Sequence, residues 1–72
     1  MTVKQLVEMA VAYADISNAE LARRLGWSQQ LLYKRLSTGK FSIDDWEKIA
    51  DALGAKVKIS FVFPDGNEVK KE

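Results

Sequence analysis

The 72 residues carry a formal net charge of +1 and are enough for one small domain, with no room for a second. Hydrophobic residues make up 47% and charged residues 29% of the sequence, a balance that is typical of folded globular domains and argues against a disordered chain. Cysteine and histidine are absent, which excludes disulfides and thiolate metal sites and removes the commonest general base, so we expect a binding module without metal or cofactor, not an enzyme.

Two helices are predicted in the first part of the chain. Thr2 and Gln5 have the spacing of a capping box, and apolar residues then recur at helical spacing to about residue 14. Ser17 and Glu20 indicate a second capping box. The short helix that follows is predicted to end at Gly26, because glycine adopts a positive φ at no steric cost.

A third helix follows so closely that the two must cross steeply. Ser28 is its predicted N-cap and Gly39 its end, and only two residues separate it from the second helix. Counted from Asn18, the fifth place is Ala22, where a small residue lets the next helix pass close by, and the ninth is the glycine of the turn. These features predict a helix-turn-helix motif over about residues 18–38.

The rest of the chain predicts one more helix, after which the spacing of apolar residues changes from that of a helix to that of a strand. Ser42 caps a fourth helix that ends at Gly54. Apolar and polar residues then alternate over residues 56–63, which predicts a half-buried strand, and residues 64–67 have the composition of a turn. The predicted fold class is therefore mainly α, with four to five helices and a C-terminal β-strand or hairpin.

Positive charge is concentrated in the middle of the chain. Residues 18–40 contain five basic side chains against one acidic side chain, although the whole chain is close to neutral. A local basic face attracts polyanions even when the net charge is small. The alternative is that these charges only solvate two helix faces.

The stretch Ser17-Asn18-Ala19-Glu20-Leu21-Ala22-Arg23-Arg24-Leu25-Gly26-Trp27-Ser28-Gln29-Gln30 resembles the helix-turn-helix regulators of the Cro and phage-repressor class, the XRE family. The resemblance continues through the fourth helix, and residues 55–67 look like the strand-and-turn ending of a short bacterial subgroup. One position departs from the family pattern. The apolar residue usual at the eighteenth place of the motif is Arg35 here, and Leu36 is expected to take its role.

This resemblance implies a repressor-like domain that binds DNA as a two-fold homodimer. Residues 1–54 would form the helix-turn-helix DNA-binding domain, and residues 55–72 would form an extension that is a candidate dimerisation element. The edge of the apolar strand could pair with the same strand of a second chain, which would satisfy free backbone groups. Its predicted dimer contacts are Val57, Ile59, Phe61 and Phe63. The alternative is that the strand folds back on its own helices.

The third helix, residues 28–38, is predicted to read the major groove of double-stranded DNA. Helix-turn-helix proteins present the first turn of this helix to the bases, and glutamine can bond adenine through two atoms at once. The predicted base contacts are Gln29, Gln30, Tyr33 and Lys34. The resemblance implies a phosphate contact from Asn18, and the predicted backbone contacts as a set are Ser17, Asn18, Ser28, Thr38 and Lys40.

Several residues of this region also have a structural alternative. Gln29 and Gln30 could be solvated surface residues, and Tyr33 could pack against the first helix. Arg35 could pair with an acidic neighbour instead of a phosphate, and Ser28 is an N-cap whatever else it does.

The sequence therefore favours a sequence-specific DNA-binding regulator, most simply a repressor. The alternative is a protein-interaction module, such as an antitoxin or adaptor, that keeps the helix-turn-helix fold. We expect a cytoplasmic protein without membrane contact, because no apolar run approaches the ~20 residues that span a bilayer and no signal peptide is visible.

Overall fold

Four helices and a β-hairpin form in the predicted order within residues 1–71, the part of the chain that this computed structural model describes. The mainly α class is thus confirmed, and the C-terminal element is a hairpin rather than a lone strand. The bounds are α1 Val3–Tyr13, α2 Asn18–Leu25, α3 Gln29–Thr38, α4 Ile43–Leu53, β1 Ile59–Val62 and β2 Glu68–Lys71.

Each helix begins at a hydroxyl residue that caps a free backbone N–H. The Thr2–Gln5 capping box is confirmed, with both of its hydrogen bonds present. Of the two hydrogen bonds of the predicted capping box between Ser17 and Glu20, only one is present. The Ser17 hydroxyl accepts from the Glu20 backbone N–H at 3.0 Å, but the Glu20 carboxylate turns to two arginines instead. A hydrogen bond between two charged groups is stronger than one to a neutral N–H. The Glu20 carboxylate therefore bonds the arginines and not the backbone N–H of Ser17.

The core lies where α1, α2 and α3 meet. Leu21 and Leu32 are fully buried against Val7 of α1, and Leu36 is buried one turn beyond Leu32. Leu36 therefore fills the apolar place that Arg35 leaves empty, as expected. The α4 helix adds two further buried residues, Ile49 and Ala50.

The turn between α2 and α3 sets how closely these helices approach. Gly26 has a φ of +73°, and its N–H donates to the carbonyl of Arg23 at 3.1 Å. The Trp27 N–H donates to the carbonyl of Ala22 at 2.9 Å, which completes a left-handed helix end. Ala22 is buried, as its predicted role at the crossing requires.

One helix ends in the same left-handed way without a glycine. Asp15, just after α1, has a φ of +59°, and the following N–H, of Ile16, donates to the carbonyl of Val11 at 3.3 Å. Aspartate tolerates this region better than most residues because its short polar side chain bonds locally. The helix accordingly ends at Tyr13, one residue before the predicted end.

The hairpin differs most from expectation, because its strand is shorter and more exposed than predicted. Strand pairing covers only Ile59–Val62, so Val57 and Phe63 lie outside β1. Phe61 is 72% exposed, and Ile59 is the only half-buried residue of the strand. The prediction of a half-buried strand is thus wrong, because residues 59–71 extend beyond the helices. The molecule is accordingly elongated and measures 43 × 24 × 20 Å along its principal axes.

The hairpin is antiparallel and closes through the predicted turn. Phe61 faces Val69 and Ile59 faces Lys71 across the two strands. The Gly66 N–H donates to the carbonyl of Phe63 at 2.9 Å, and Asn67 bonds the Asp65 carboxylate through backbone and side chain, both at 2.9 Å. Asparagine, aspartate and glycine supply these bonds in tight turns.

No helix within residues 1–71 has both the length and the apolar character that crossing a bilayer requires.

Replacing Gly26 by alanine tests the role of the α2–α3 turn. The space around its α-carbon is open, so the added methyl group meets nothing and the cost comes from the positive φ alone. We expect Gly26→Ala to lower the free energy of unfolding by about 1–2 kcal/mol, measured by urea denaturation. Asp15→Gly is the matched control at the left-handed end of α1, and we expect no loss there. Equal stability of Gly26→Ala and the parent chain would contradict this role.

Candidate nucleic-acid interface

A groove between α1 and the first half of α3 brings several predicted contact residues together. It has a volume of about 430 Å³. Its walls combine amide, charged and aromatic side chains over an apolar floor, and the lining residues are Lys4, Glu8, Asn18, Gln29, Gln30, Leu32, Tyr33 and Leu36. We call this surface the α1–α3 groove.

The two glutamines lie in the first turn of α3, where the helix begins at the groove. Ser28 caps this end, and its hydroxyl accepts from the Leu31 N–H at 3.0 Å. Gln29 and Gln30 are both exposed, whereas Leu32, three residues after Gln29 on the adjoining side of the helix, is buried and lines the same groove. Such amides can donate and accept at the same time.

Tyr33 contacts the first helix and remains open to solvent. The Lys4 Nζ lies 5.2 Å from the centre of its ring, a cation–π distance. The side chain is nevertheless 64% exposed. Tyr33 therefore contacts α1 but is not half-buried against it, and its contact with DNA stays a prediction.

The remaining predicted contacts do not line the groove. All of them are exposed: Ser17, Ser28, Lys34, Thr38 and Lys40. The Thr38 hydroxyl donates to the carbonyl of Arg35 at 3.2 Å, which closes the last turn of α3. Within residues 1–71, neither Lys34 nor Lys40 forms an ion pair, so both ammonium groups remain available to an anion.

Sequence reasoning missed the contribution of α1. Lys4 and Glu8 are four residues apart and share one helix face, which the sequence indicates. Nothing in their spacing says that this face meets α3, because that contact is set by packing between distant elements. Lys4 thus adds a cation, and Glu8 adds a carboxylate, to a surface predicted from α2 and α3 alone.

Arg35 is held by the protein rather than left free for phosphate. Its Nη1 donates to Asp45 Oδ2 at 2.9 Å, and its guanidinium lies 5.2 Å from the centre of the Trp27 ring. The Ser42 backbone N–H donates to the same carboxylate at 3.2 Å, and this bond, with the Ser42 hydroxyl and the Arg35 charge, lowers the pKa of Asp45. The acidic neighbour predicted as an alternative for Arg35 is therefore present.

Glu20 holds the other two arginines of the central segment. The Arg23 Nε donates to Glu20 Oε1 at 2.8 Å and the Arg24 Nε donates to Oε2 at 2.9 Å. Arg24 also donates to the carbonyl of Ala52 at 2.8 Å, which ties α2 to α4. The hydrogen bond from Arg23, followed by that from Arg24, lowers the pKa of Glu20 to about 2.

Neither a metal site nor a similar protein gives further information on this surface. Within residues 1–71, no three acidic side chains come close enough to hold a metal ion. Comparisons of the chain with protein-family models, with curated proteins and with solved structures found no match. The relationship to the XRE family therefore stays a prediction.

The lowered pKa of Glu20 predicts how stability responds to acid. Because the pKa in the folded chain, about 2, lies below the ordinary 4.5, the unfolded chain binds the proton more readily. The stabilising effect of the Glu20 cluster is therefore fully present above about pH 4.5 and is lost as the pH falls towards 2.

We expect Glu20→Gln to lose this part of the pH dependence, measured as the melting temperature of both proteins between pH 2 and 7. Glu8→Gln is the matched control, since Glu8 forms no ion pair within the described residues. An unchanged acid response in Glu20→Gln would contradict the assignment.

Proposed function

We propose that this chain binds double-stranded DNA in a sequence-specific manner and acts as a transcriptional regulator, most simply as a repressor. The observation that carries the proposal is the pair of exposed amides, Gln29 and Gln30, in the first turn of α3. The proposal includes a repressor-like helix-turn-helix domain over residues 1–54, with no cofactor and no catalytic role.

The dimensions of α3 support binding in the major groove. Its ten residues form a rod about 15 Å long. The major groove of DNA is about 12 Å wide and admits an α-helix. Leu32 and Leu36 anchor this helix in the core and line the same groove as Gln29, so the start of the helix is fixed relative to the core. Glutamine presents a donor and an acceptor that match the N6 and N7 atoms of adenine.

Electrostatics favour base reading over simple charge attraction. Arg23 and Arg24 share the carboxylate of Glu20, and Arg35 is paired with Asp45, so one of these three positive charges is not compensated. Three lysines add to this charge: Lys4 lines the α1–α3 groove, and Lys34 and Lys40 are exposed on α3 and just after it. So few phosphate contacts give weak non-specific binding, and specificity then depends on the amides. Lys34 in this proposal contacts a guanine or a phosphate, and Tyr33 a sugar or a thymine methyl group.

A two-fold homodimer is part of the proposal. One helix buries too little surface for specific binding alone, and helix-turn-helix dimers read half-sites about 10 base pairs apart. The exposed residues Phe61 and Phe63 support a dimer contact through the hairpin. Val57, which was predicted to share that contact, is half-buried on its own chain.

A protein-interaction module is the second candidate, and the same hairpin favours it. An apolar face outside the core marks an interaction site on many soluble proteins. An antitoxin or adaptor would use the hairpin to hold a protein partner and would leave the α1–α3 groove without a specific DNA ligand.

Selection from random duplex DNA at near-physiological salt tests the proposal directly. We expect the retained pool to converge on a palindrome whose half-sites are about one DNA turn, roughly 10 base pairs, apart. A pool retained without any common sequence would contradict specific recognition. It would leave either a charge-driven binder or the protein-interaction module.

Gln29→Ala and Gln30→Ala test which residues carry the specificity. Each lost bidentate contact should reduce discrimination at one base position by about 1–3 kcal/mol, or roughly 5- to 150-fold, without a comparable change elsewhere in the site. The measurement is a fluorescence binding titration against the selected site and its single-base variants. Lys48→Ala is the matched control, because Lys48 is exposed on α4 away from the α1–α3 groove. Full specificity in both glutamine variants would contradict the assignment.

A further inference from the structure

The first helix brings two opposite charges into the α1–α3 groove. Lys4 and Glu8 lie one turn apart, about 6 Å along the helix axis, on the same face of α1, and both line the groove. Among residues 1–71, no other charged side chain lines it, since its remaining walls are amide, tyrosine and leucine side chains. The charge inside the groove therefore comes from α1 and not from the predicted helix-turn-helix motif.

These two charges do not pair with each other. Lys4 precedes Glu8, which is the less favourable order for a pair four residues apart, and within residues 1–71 no ion pair joins them. The Lys4 Nζ lies over the ring of Tyr33 instead, 5.2 Å from its centre, and Glu8 is exposed. Both charges are therefore available to a ligand that enters the groove.

The direction of the two helices separates the charges along the groove. The α1 helix begins beside the end of α3, where Val3 Cγ2 lies 3.5 Å from the position that a Cβ atom of Gly39 would take. Lys4 then contacts Tyr33, in the middle of α3. Glu8, one turn later on α1, lines the groove together with the two glutamines of the first turn of α3. The carboxylate thus lies beside the amides that are proposed to read bases, and the ammonium group lies towards the later turns.

A carboxylate in a DNA-binding groove has few direct partners. It only accepts hydrogen bonds, and it repels phosphate oxygens, which are negative acceptors. The donors that the base edges offer in the major groove are the amino groups at N4 of cytosine and N6 of adenine, and acidic side chains pair with the first of these. An ammonium group only donates, and the phosphate is the charged acceptor that DNA offers it.

We infer that α1 is a second recognition element of this surface. Glu8 accepts a hydrogen bond from the amino group of a base, cytosine before adenine, and Lys4 donates to a backbone phosphate beside Tyr33. This inference deepens the proposed function and rests on it. Glu8 is then a residue that determines specificity, and Lys4 orients the duplex along the groove.

Two opposite charges fix how a duplex lies in the groove. With a phosphate at Lys4 and a base edge at Glu8, both charges are attracted to the DNA that they meet. A duplex that is shifted or reversed along α3 brings a phosphate to Glu8, where like charges repel. Specific interfaces combine attraction for the correct partner with repulsion of incorrect ones. Glu8 thus reduces binding to unrelated DNA.

Glu8→Ala tests the base contact, by fluorescence titration against the site recovered from random duplex DNA and its single-base variants. We expect discrimination to fall at least about fivefold at one cytosine or adenine position that Gln29→Ala and Gln30→Ala leave unchanged, while affinity for unrelated duplex rises. Asp51→Ala is the matched control, because it removes the same charge from an exposed position on α4 that does not line the groove. The control should leave discrimination intact at every position.

Lys4→Met tests the phosphate contact and keeps an unbranched apolar side chain against Tyr33. We expect the same loss of affinity for every duplex, and a slope of log affinity against log salt concentration that is smaller in magnitude by about one. Lys4→Arg should keep the slope of the parent chain. Lys48→Met removes an exposed positive charge on α4 and should leave the slope nearly unchanged.

Two kinds of failure can be told apart. Full discrimination in Glu8→Ala, or a parent-like salt slope in Lys4→Met, would overturn the inference and leave the proposed function standing, because the parent chain still selects its site. A parent chain that retains duplexes without any common sequence would overturn the proposed function and this inference together.

Discussion

The close crossing of α2 and α3 is the constraint on which the rest of the structure depends. Ala22 is small enough to let the helices meet, and the positive φ of Gly26 reverses the chain within a short turn. The crossing buries Leu21 and Leu32 against α1, and neither short helix would be stable without that contact. It also decides that the first turn of α3 faces outward, and the proposed DNA-reading surface follows from that orientation.

The charged residues divide into a structural group and an exposed group. Arginines bridge elements, as Arg24 does between α2 and the carbonyl of Ala52, and Arg35 does between α3 and Asp45. Their planar, multiply donating guanidinium suits such bridges. Lys4 and the two glutamines line the α1–α3 groove, and Lys34 and Lys40 are exposed. The basic composition of the central segment therefore overstates the charge available to a ligand.

Local sequence signals predicted the helices well, but they could not predict contacts between elements that are distant in the sequence. Hydroxyl caps and glycine ends depend on neighbouring residues, so Ser28 and Gly26 could be assigned from the sequence. The half-buried strand was a wrong prediction because alternation says which residues share a face, not what that face meets. The place of Lys4 in the α1–α3 groove was not predicted for the same reason, since its position beside Tyr33 depends on how α1 packs on α3.

The central claim is that the α1–α3 groove and the start of α3 form the DNA-binding surface. Titration of the ¹⁵N-labelled chain with a selected duplex, followed by NMR, tests it most directly. The account predicts that the side-chain amide signals of Gln29 and Gln30 and the backbone signal of Asn18 shift most, with small changes at Lys48 on α4. Shifts confined to α4, or an unchanged spectrum at a saturating duplex concentration, would contradict it.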